Sequence, residues 1–537
     1  MKDSVKDAWV YQMRWWTLLV IAISVLIVVL DSTIVNIALP TLQRELNTTI
    51  SELQWIINAY IMSFAALMLT MGALGDRIGR AKMLQAGIVL FAGASVGAAF
   101  ADSGGQLIMW RAIMGIGGAM ILPATLAIIT NVFPREERGR AIGIWAGLNG
   151  IGIALGPIIG GLVIENLHWS WIFLINIPIA AVALVAGRFL VPNSRDPNPK
   201  RLDFAGTMLS AAALSSLIFG LIQGSNWGWT DPAVTGSLAG SIALIILFII
   251  WERYTTHPML EIGFFSNLRF SAGVGAVSMM SLALVGLTFS LTLYMQFVNG
   301  YTALETGIRF VPLALGIFIG AGSADRVVSR LGTTSVIVIG FIGTAIIGAL
   351  ASFWQVDTAY WQLGSMFFGL GFFLGYIAAP ATEAVMGALP EARAGIGSAM
   401  NTVSRLVAGS IGVAALGSAL STIYSSSFKK AISAISDLPA EIAAAASDSV
   451  GAAVTIAEEL PPGMGNALVL AARESFMDGW QVMAFVTCGM SIIGALLVLK
   501  FMPPRHEPIR TEQPIPEEVP SSAPLLVPEE VRRDEET

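Results

Sequence analysis

Trp15–Pro40 reads WWTLLVIAISVLIVVLDSTIVNIALP. An α-helix rises about 1.5 Å per residue, so the apolar run 15–39 is long enough to cross a hydrocarbon layer of about 30 Å. Its one charge is Asp31, with no lysine or arginine within reach along the same helix. Asp31 falls roughly 20 Å past the start of the run, beyond the bilayer midpoint. A carboxylate at that depth costs several kcal/mol unless it is neutralised, paired or hydrated, which makes it a functional candidate by default. It reads either as a proton carrier or as a polar group that hydrogen-bonds a neighbouring helix and only holds the fold.

Working outward, the whole chain repeats this character. Of 537 residues, 55% are hydrophobic and 12% charged, against about 25% charged in soluble domains. The chain therefore reads as an all-α polytopic membrane protein. Fourteen apolar runs are long enough to span: 15–39, 53–74, 83–101, 106–131, 141–163, 171–191, 204–222, 233–251, 270–298, 304–323, 333–353, 361–386, 395–421 and 480–501. The ninth and thirteenth are rich in Gly, Ser and Ala, which suits close helix packing. Basic residues gather in alternate loops: Lys2, Lys6 and Arg14; Arg77, Arg80 and Lys82; Arg135, Arg138 and Arg140; Arg188, Arg195, Lys200 and Arg201; Arg253 and Arg269; Arg326 and Arg330; Arg393. The opposite short loops hold only Arg44. The asymmetry predicts both termini in the cytoplasm and an even number of spans in the cell membrane. The long loop 422–479 then falls outside, with short helices expected over 427–436, 439–459 and 464–476. The tail 503–537 is Pro- and Glu-rich and reads as disordered.

An internal repeat organises the spans. Gly72–Arg80, GALGDRIGR, follows the second run, and Gly322–Arg330, GSADRVVSR, follows the tenth. The expected domains are a first six-helix bundle over 1–191, an inserted helix pair over 192–255, and a second six-helix bundle over 256–502. Repeats of this kind build secondary transporters, with the substrate site between them. Composition excludes other classes. There is no basic face for nucleic acid and no G-x-x-x-x-G-K-[ST] stretch for ATP. The single Cys488 forms no intrachain disulfide. His168, His257 and His506 are scattered, so no metal site, cofactor or enzyme activity is expected.

Three stretches carry chemistry. In Gly72–Leu84, GALGDRIGRAKML, glycines permit a tight turn and Asp76 can be held by an arginine or a helix N-terminus. Gly72, Asp76, Arg77, Gly79 and Arg80 would form a charged knot that latches one bundle to the other. Arg111 lies about one and a half turns into the fourth span, at a depth matching Asp31, so the two can pair. Gly147–Gly161, GLNGIGIALGPIIGG, places Gly156 beside Pro157, and a bend is expected there. Tyr60, Trp145, Asn149, Tyr294 and Gln296 are polar-tipped side chains on spans expected to line a cavity. Glu383 and Arg405 are further charged candidates for binding substrate.

The 72–84 stretch resembles the loop signature of the major facilitator superfamily, Ala81 replacing a basic residue common there. LIMWRAIMGIGGAM around Arg111 resembles the fourth-helix arginine motif of that superfamily, which implicates the arginine in proton coupling. GPIIGG resembles the antiporter signature of its drug:proton exchangers. Leu30–Pro40, Trp169–Pro178 (WSWIFLINIP) and Tyr294–Pro312 (YMQFVNGYTALETGIRFVP) resemble the fourteen-span drug:proton antiporters. The resemblance covers nearly all of 15–500. It implies a monomer that exports hydrophobic, often cationic compounds through the bilayer in exchange for protons, with Asp31 and Arg111 in proton coupling. Ile317 stands where some such exporters carry a second acid, which argues against strong selectivity for divalent cations. The alternatives are an exporter of one physiological lipid, amphiphilic metabolite or antibiotic, and a membrane sensor that no longer transports.

Overall fold

The structure, a computed structural model, describes residues 2–195, 202–256, 258, 260–389, 394–433 and 439–502; the side chains of 2–10, 135–136, 138–139, 142–143, 146–151, 153–154, 394–396, 398 and 440 also lie outside the description. The tail 503–537 is therefore outside it. Among the described residues there are helices and no strands. The long ones are α1 Lys2–Glu45, α2 Ile50–Ile78, α3 Arg80–Ala99, α4 Gly104–Val132, α5 Arg135–Asn166, α6 Trp171–Leu190, α7 Phe204–Trp227, α8 Pro232–Tyr254, α9 Leu268–Val298, α10 Ala303–Leu331, α11 Thr333–Ala351, α12 Tyr360–Gly387, α13 Ala394–Ile432 and α14 Pro462–Phe501. Thirteen of these are long and apolar enough to cross a membrane. The remaining expected span, 141–163, lies within the 32 residues of α5, where the described apolar part is Leu155–Asn166.

Local chemistry sets the helix ends. Thr49 and Glu52 form a reciprocal capping box at the start of α2, and Thr302 and Glu305 do the same for α10. Gly79 ends α2 at φ +116°, a conformation open to glycine. Apolar sequence then decides what is buried. The outward face of α8 keeps Ile242, Ile246 and Ile250 exposed, as a lipid-facing helix does. Where helices touch, small residues bring backbones together. A Cβ on Gly412 of α13 would lie 2.1 Å from the Leu282 carbonyl of α9, and one on Gly286 would lie 2.7 Å from the Gly412 carbonyl. The Gly- and Ala-rich ninth and thirteenth runs therefore pack on each other.

The loop between α13 and α14 is shorter than the sequence suggests. α13 continues to Ile432, and Tyr424 and Phe428 stack with ring centroids 5.3 Å apart. Residues 464–476 are no separate helix but part of α14, because Pro462 starts a helix well and Leu468, Ala472 and Phe476 are buried. Among the described residues, Ala440–Ala446 and Val450–Glu458 remain as short helices between them.

The ends of the helices divide into a basic end, with Arg77, Arg80 and Lys82, and an opposite end. At the opposite end the first six and last six helices are bonded together. Gln296 Nε2 on α9 donates to the Ile37 carbonyl on α1 at 2.9 Å. Ser410 Oγ on α13 donates to Asn58 Oδ1 on α2 at 2.6 Å, and Gln54 Nε2 lies 3.5 Å from the Val413 carbonyl. A Cβ on Gly307 of α10 would lie 2.2 Å from the Pro157 carbonyl of α5.

Candidate functional site

Five of the first six helices send groups to one point. Asp31 of α1 and Arg111 of α4 are 1% and 2% exposed and form an ion pair through Arg111 Nη1 and Asp31 Oδ2. Arg111 Nε donates to the Ile56 carbonyl of α2 at 3.2 Å. The guanidinium carbon sits 4.3 Å from the centroid of the Tyr60 ring, also on α2, in cation–π contact. The other carboxylate oxygen, Asp31 Oδ1, faces Asn176 Nδ2 of α6 at 3.4 Å. The same amide donates to Ser95 Oγ of α3 at 3.1 Å, and Ser95 passes its hydroxyl hydrogen to the Phe173 carbonyl at 2.8 Å.

Glycines make this convergence possible. A Cβ on Gly115 of α4 would lie 2.3 Å from the Tyr60 carbonyl, so only glycine lets α4 bring Arg111 so close to α2. Charge neutralisation within the pair offsets part of the desolvation cost of each ion. The directed chain of donors then fixes the carboxylate on both oxygens. A sealed carboxylate with a neighbouring guanidinium can exchange a proton only when the pair is disturbed, which is the chemistry a coupled carrier needs.

The other residues expected at the site fall in several places. Asp76 pairs with Arg80 at 2.8 Å, and Arg80 reaches the Ala127 carbonyl of α4 at 3.4 Å. The backbone N–H of Arg80 donates to Ser194 after α6. A Cβ on Gly79 would lie 2.3 Å from Asn193 Oδ1, and one on Gly72 would lie 3.3 Å from Pro123 of α4. These contacts tie the knot to α4 and to the segment after α6, within the first six helices; Arg77 is exposed. The expected latch between bundles is not among them.

α5 runs through Pro157 without interruption. A Cβ on Gly156 would lie 1.8 Å from Thr33 Oγ1 of α1, two residues from Asp31. Trp145 is half-buried, with its indole N–H 3.3 Å from Thr125 Oγ1. Asn149 lies on α5, and its side chain is outside the described residues.

Tyr60 lines no cavity, since it is buried under Arg111. Tyr294 corrects the reading more sharply. It is fully buried, stacked on Trp354 and Trp480 at 5.7 and 5.5 Å, with its hydroxyl donating to the Gln355 carbonyl. Its apolar ring is core packing between α9, the connection from α11 to α12, and α14. Gln296 is also buried and bridges α9 to α1. Glu383 is exposed on α12. Arg405 of α13 is exposed as well, and its carbonyl accepts from Ser281 Oγ of α9 at 2.8 Å.

Sequence reading missed Asn176 and Ser95. Asn176 stood in the WSWIFLINIP stretch as the one amide before Pro178, a signal that an apolar helix start carries a polar side chain for a reason. Ser95 gave no signal, since serines are common in close-packed helices.

Comparison with known proteins follows from this geometry. The sequence profile described as Major Facilitator Superfamily matches residues 21–413. The chain is 32% identical over 495 residues to the tetracenomycin C resistance and export protein of Streptomyces glaucescens, covering 90% of this chain and 91% of that one. It is 30% identical over 485 residues to the multidrug efflux pump LfrA of Mycolicibacterium smegmatis, covering 90% and 95%. Among solved structures it is similar in fold to a bacterial homolog of the human lysosomal transporter Spinster, with a TM-score of 0.61, 16% identity and coverage of 92% and 99%.

Proposed function

The chain belongs to the major facilitator superfamily, and from that premise we propose that it is a proton-coupled antiporter that expels hydrophobic small molecules, cationic drugs and biocides among them, by alternating access. Membership makes it a transporter rather than an enzyme, and its resistance and export relatives make it an efflux transporter. The basic end is the cytoplasmic one, with both termini in the cytoplasm. The halves that rock are α1–α6 and α9–α14, and α7–α8 is the inserted pair.

One observation carries the coupling: the sealed Asp31–Arg111 pair, fixed by Asn176, at membrane depth. Protonation of Asp31 would release Arg111 and loosen the joint of α1, α4 and α6. Gly156 supports the same reading, since it presses α5 against the turn of α1 that holds Asp31. The test is Asp31→Asn in everted membrane vesicles with an imposed pH gradient. Ethidium transport should fall to the level of vesicles without the protein, whereas unchanged gradient-driven transport would remove Asp31 from the mechanism.

A second reading, a narrow physiological substrate, is favoured by Ile317 in α10, where some drug exporters place an acid. A deletion strain with unaltered susceptibility to every cationic dye and biocide would favour it.

A further inference from the structure

α7 lies along the line where α2 of the first six helices meets α13 of the last six. Its Leu214, Ile218 and Ile222 share one apolar cluster with Met62 of α2 and Ala414 of α13. Its polar contacts divide unevenly between those two helices. With α2 they fall at both ends. Thr207 Oγ1 and Thr70 Oγ1 are 2.6 Å apart toward the basic end, and Asn226 Nδ2 donates to Ser51 Oγ at 2.8 Å at the opposite end. With α13 the described bond lies toward the opposite end alone, where Ser418 Oγ donates to the Leu221 carbonyl at 2.6 Å. The α13 side chains of the apolar cluster begin at Val407, about 20 Å along α13 from its basic end. α8 is fastened to α7 in turn. Ser216 Oγ donates to the Ser237 carbonyl at 2.8 Å, and a Cβ on Gly220 would lie 2.7 Å from the Leu238 side chain. The chain joins this pair to the last six helices at the basic end. There Glu252 Oε2 accepts from the Leu260 N–H at 2.9 Å, and Leu260 and Phe264 pack beside Phe270 and Val385.

Between apolar helices in lipid, close packing and polar bonds decide which neighbour a helix follows. A helix fastened at both ends to one partner, and toward one end to another, follows the first when two bodies rotate apart. The bond to α13 is also the easier one to release, because the Ser418 hydroxyl can turn back to the Ala414 carbonyl one turn earlier on its own helix. We propose that α7–α8 is a rigid part of the first half, and that α7 parts from α13 each time the end away from the basic loops opens. The tie between Glu252 and Leu260 does not oppose this motion. It sits at the basic end, where the halves approach as the opposite ends separate, and so acts as the pivot. The proposal rests on the alternating-access reading and deepens it. The surface that opens is wider than the contact of α2 with α13, with Leu214, Ile218 and Leu221 on one side and Ile411, Ala414 and Ser418 on the other.

The experiment uses the full-length protein with Cys488→Ser in everted vesicles. Pairs of introduced cysteines are bridged by a thiosulfonate cross-linker and released by reductant, and ethidium transport is followed. Bridging Leu221→Cys to Ser418→Cys should stop transport, and reductant should restore it. Bridging Ser51→Cys to Asn226→Cys should leave transport unchanged. Thr70→Cys with Thr207→Cys repeats the α2 test if that variant fails to fold, and Ile218→Cys with Ala414→Cys repeats the α13 test. Transport that survives the bridge to α13, or stops with the bridge to α2, would overturn the proposal. A third bridge, Asn58→Cys to Ser410→Cys, joins α2 to α13 directly and separates two failures. If it stops transport while the bridge from Leu221 to Ser418 does not, only the assignment of α7 falls. If it too leaves transport running, the seam never opens, and the alternating-access reading falls with it.

Discussion

At the scale of single residues, the two ions of the buried pair depend on each other. Removing one partner of such a pair leaves the other as an uncompensated charge, at about 3–5 kcal/mol. A half-buried pair behaves otherwise. Arg14 of α1 and Glu137 of α5 meet at 2.7 Å at the basic end, and the hydrogen bond from Arg14 holds the Glu137 carboxyl below its ordinary range. Because that value is lowered on folding, the contact stabilises above the ordinary carboxylate range and is lost as pH falls through the lowered value. A cross-link between the starts of α1 and α5 should form equally well from pH 8 to pH 6 and decline in acid. Glu137→Gln should abolish the decline, and a decline that survives in that variant would assign it elsewhere.

At the scale of helices, glycine contacts set the tolerances. Gly156 sits against Thr33 and Gly160 against Ile34, so α5 and α1 touch almost backbone to backbone. Gly156→Ala should impair packing by about 1–3 kcal/mol and reduce transport, seen as a lower melting temperature in detergent and slower drug efflux. Thr33→Gly in the same chain should recover part of both. An active, stable Gly156→Ala variant would show that α5 does not need this approach. Tyr294 teaches the converse lesson. Its polar tip suggested a binding side chain, but three aromatic neighbours enclose it. A side chain's chemistry does not reveal which face of its helix meets other helices.

At the scale of the molecule, the hydrogen bonds among the described residues that join the first and last six helices directly lie toward the end away from the basic loops, at Ile37, Gln54 and Asn58. The proposed alternating access would require them to part. In a Cys488→Ser background, Asn58→Cys with Ser410→Cys should stop efflux once bridged by a thiosulfonate cross-linker, and reductant should restore it. Transport that continues while bridged would show that this seam stays closed through the cycle. The apolar runs and alternate basic loops determined the all-helical, membrane-spanning class, because length, hydropathy and loop charge act locally along the chain. The depth of Asp31 and of Arg111 could also be counted from the sequence. Only the tertiary structure decided that they meet, that Asn176 and Ser95 complete the chain of donors, and that Tyr294 turns into the core. Those facts depend on how each helix is rotated about its axis, and that rotation is set by packing against neighbours hundreds of residues away.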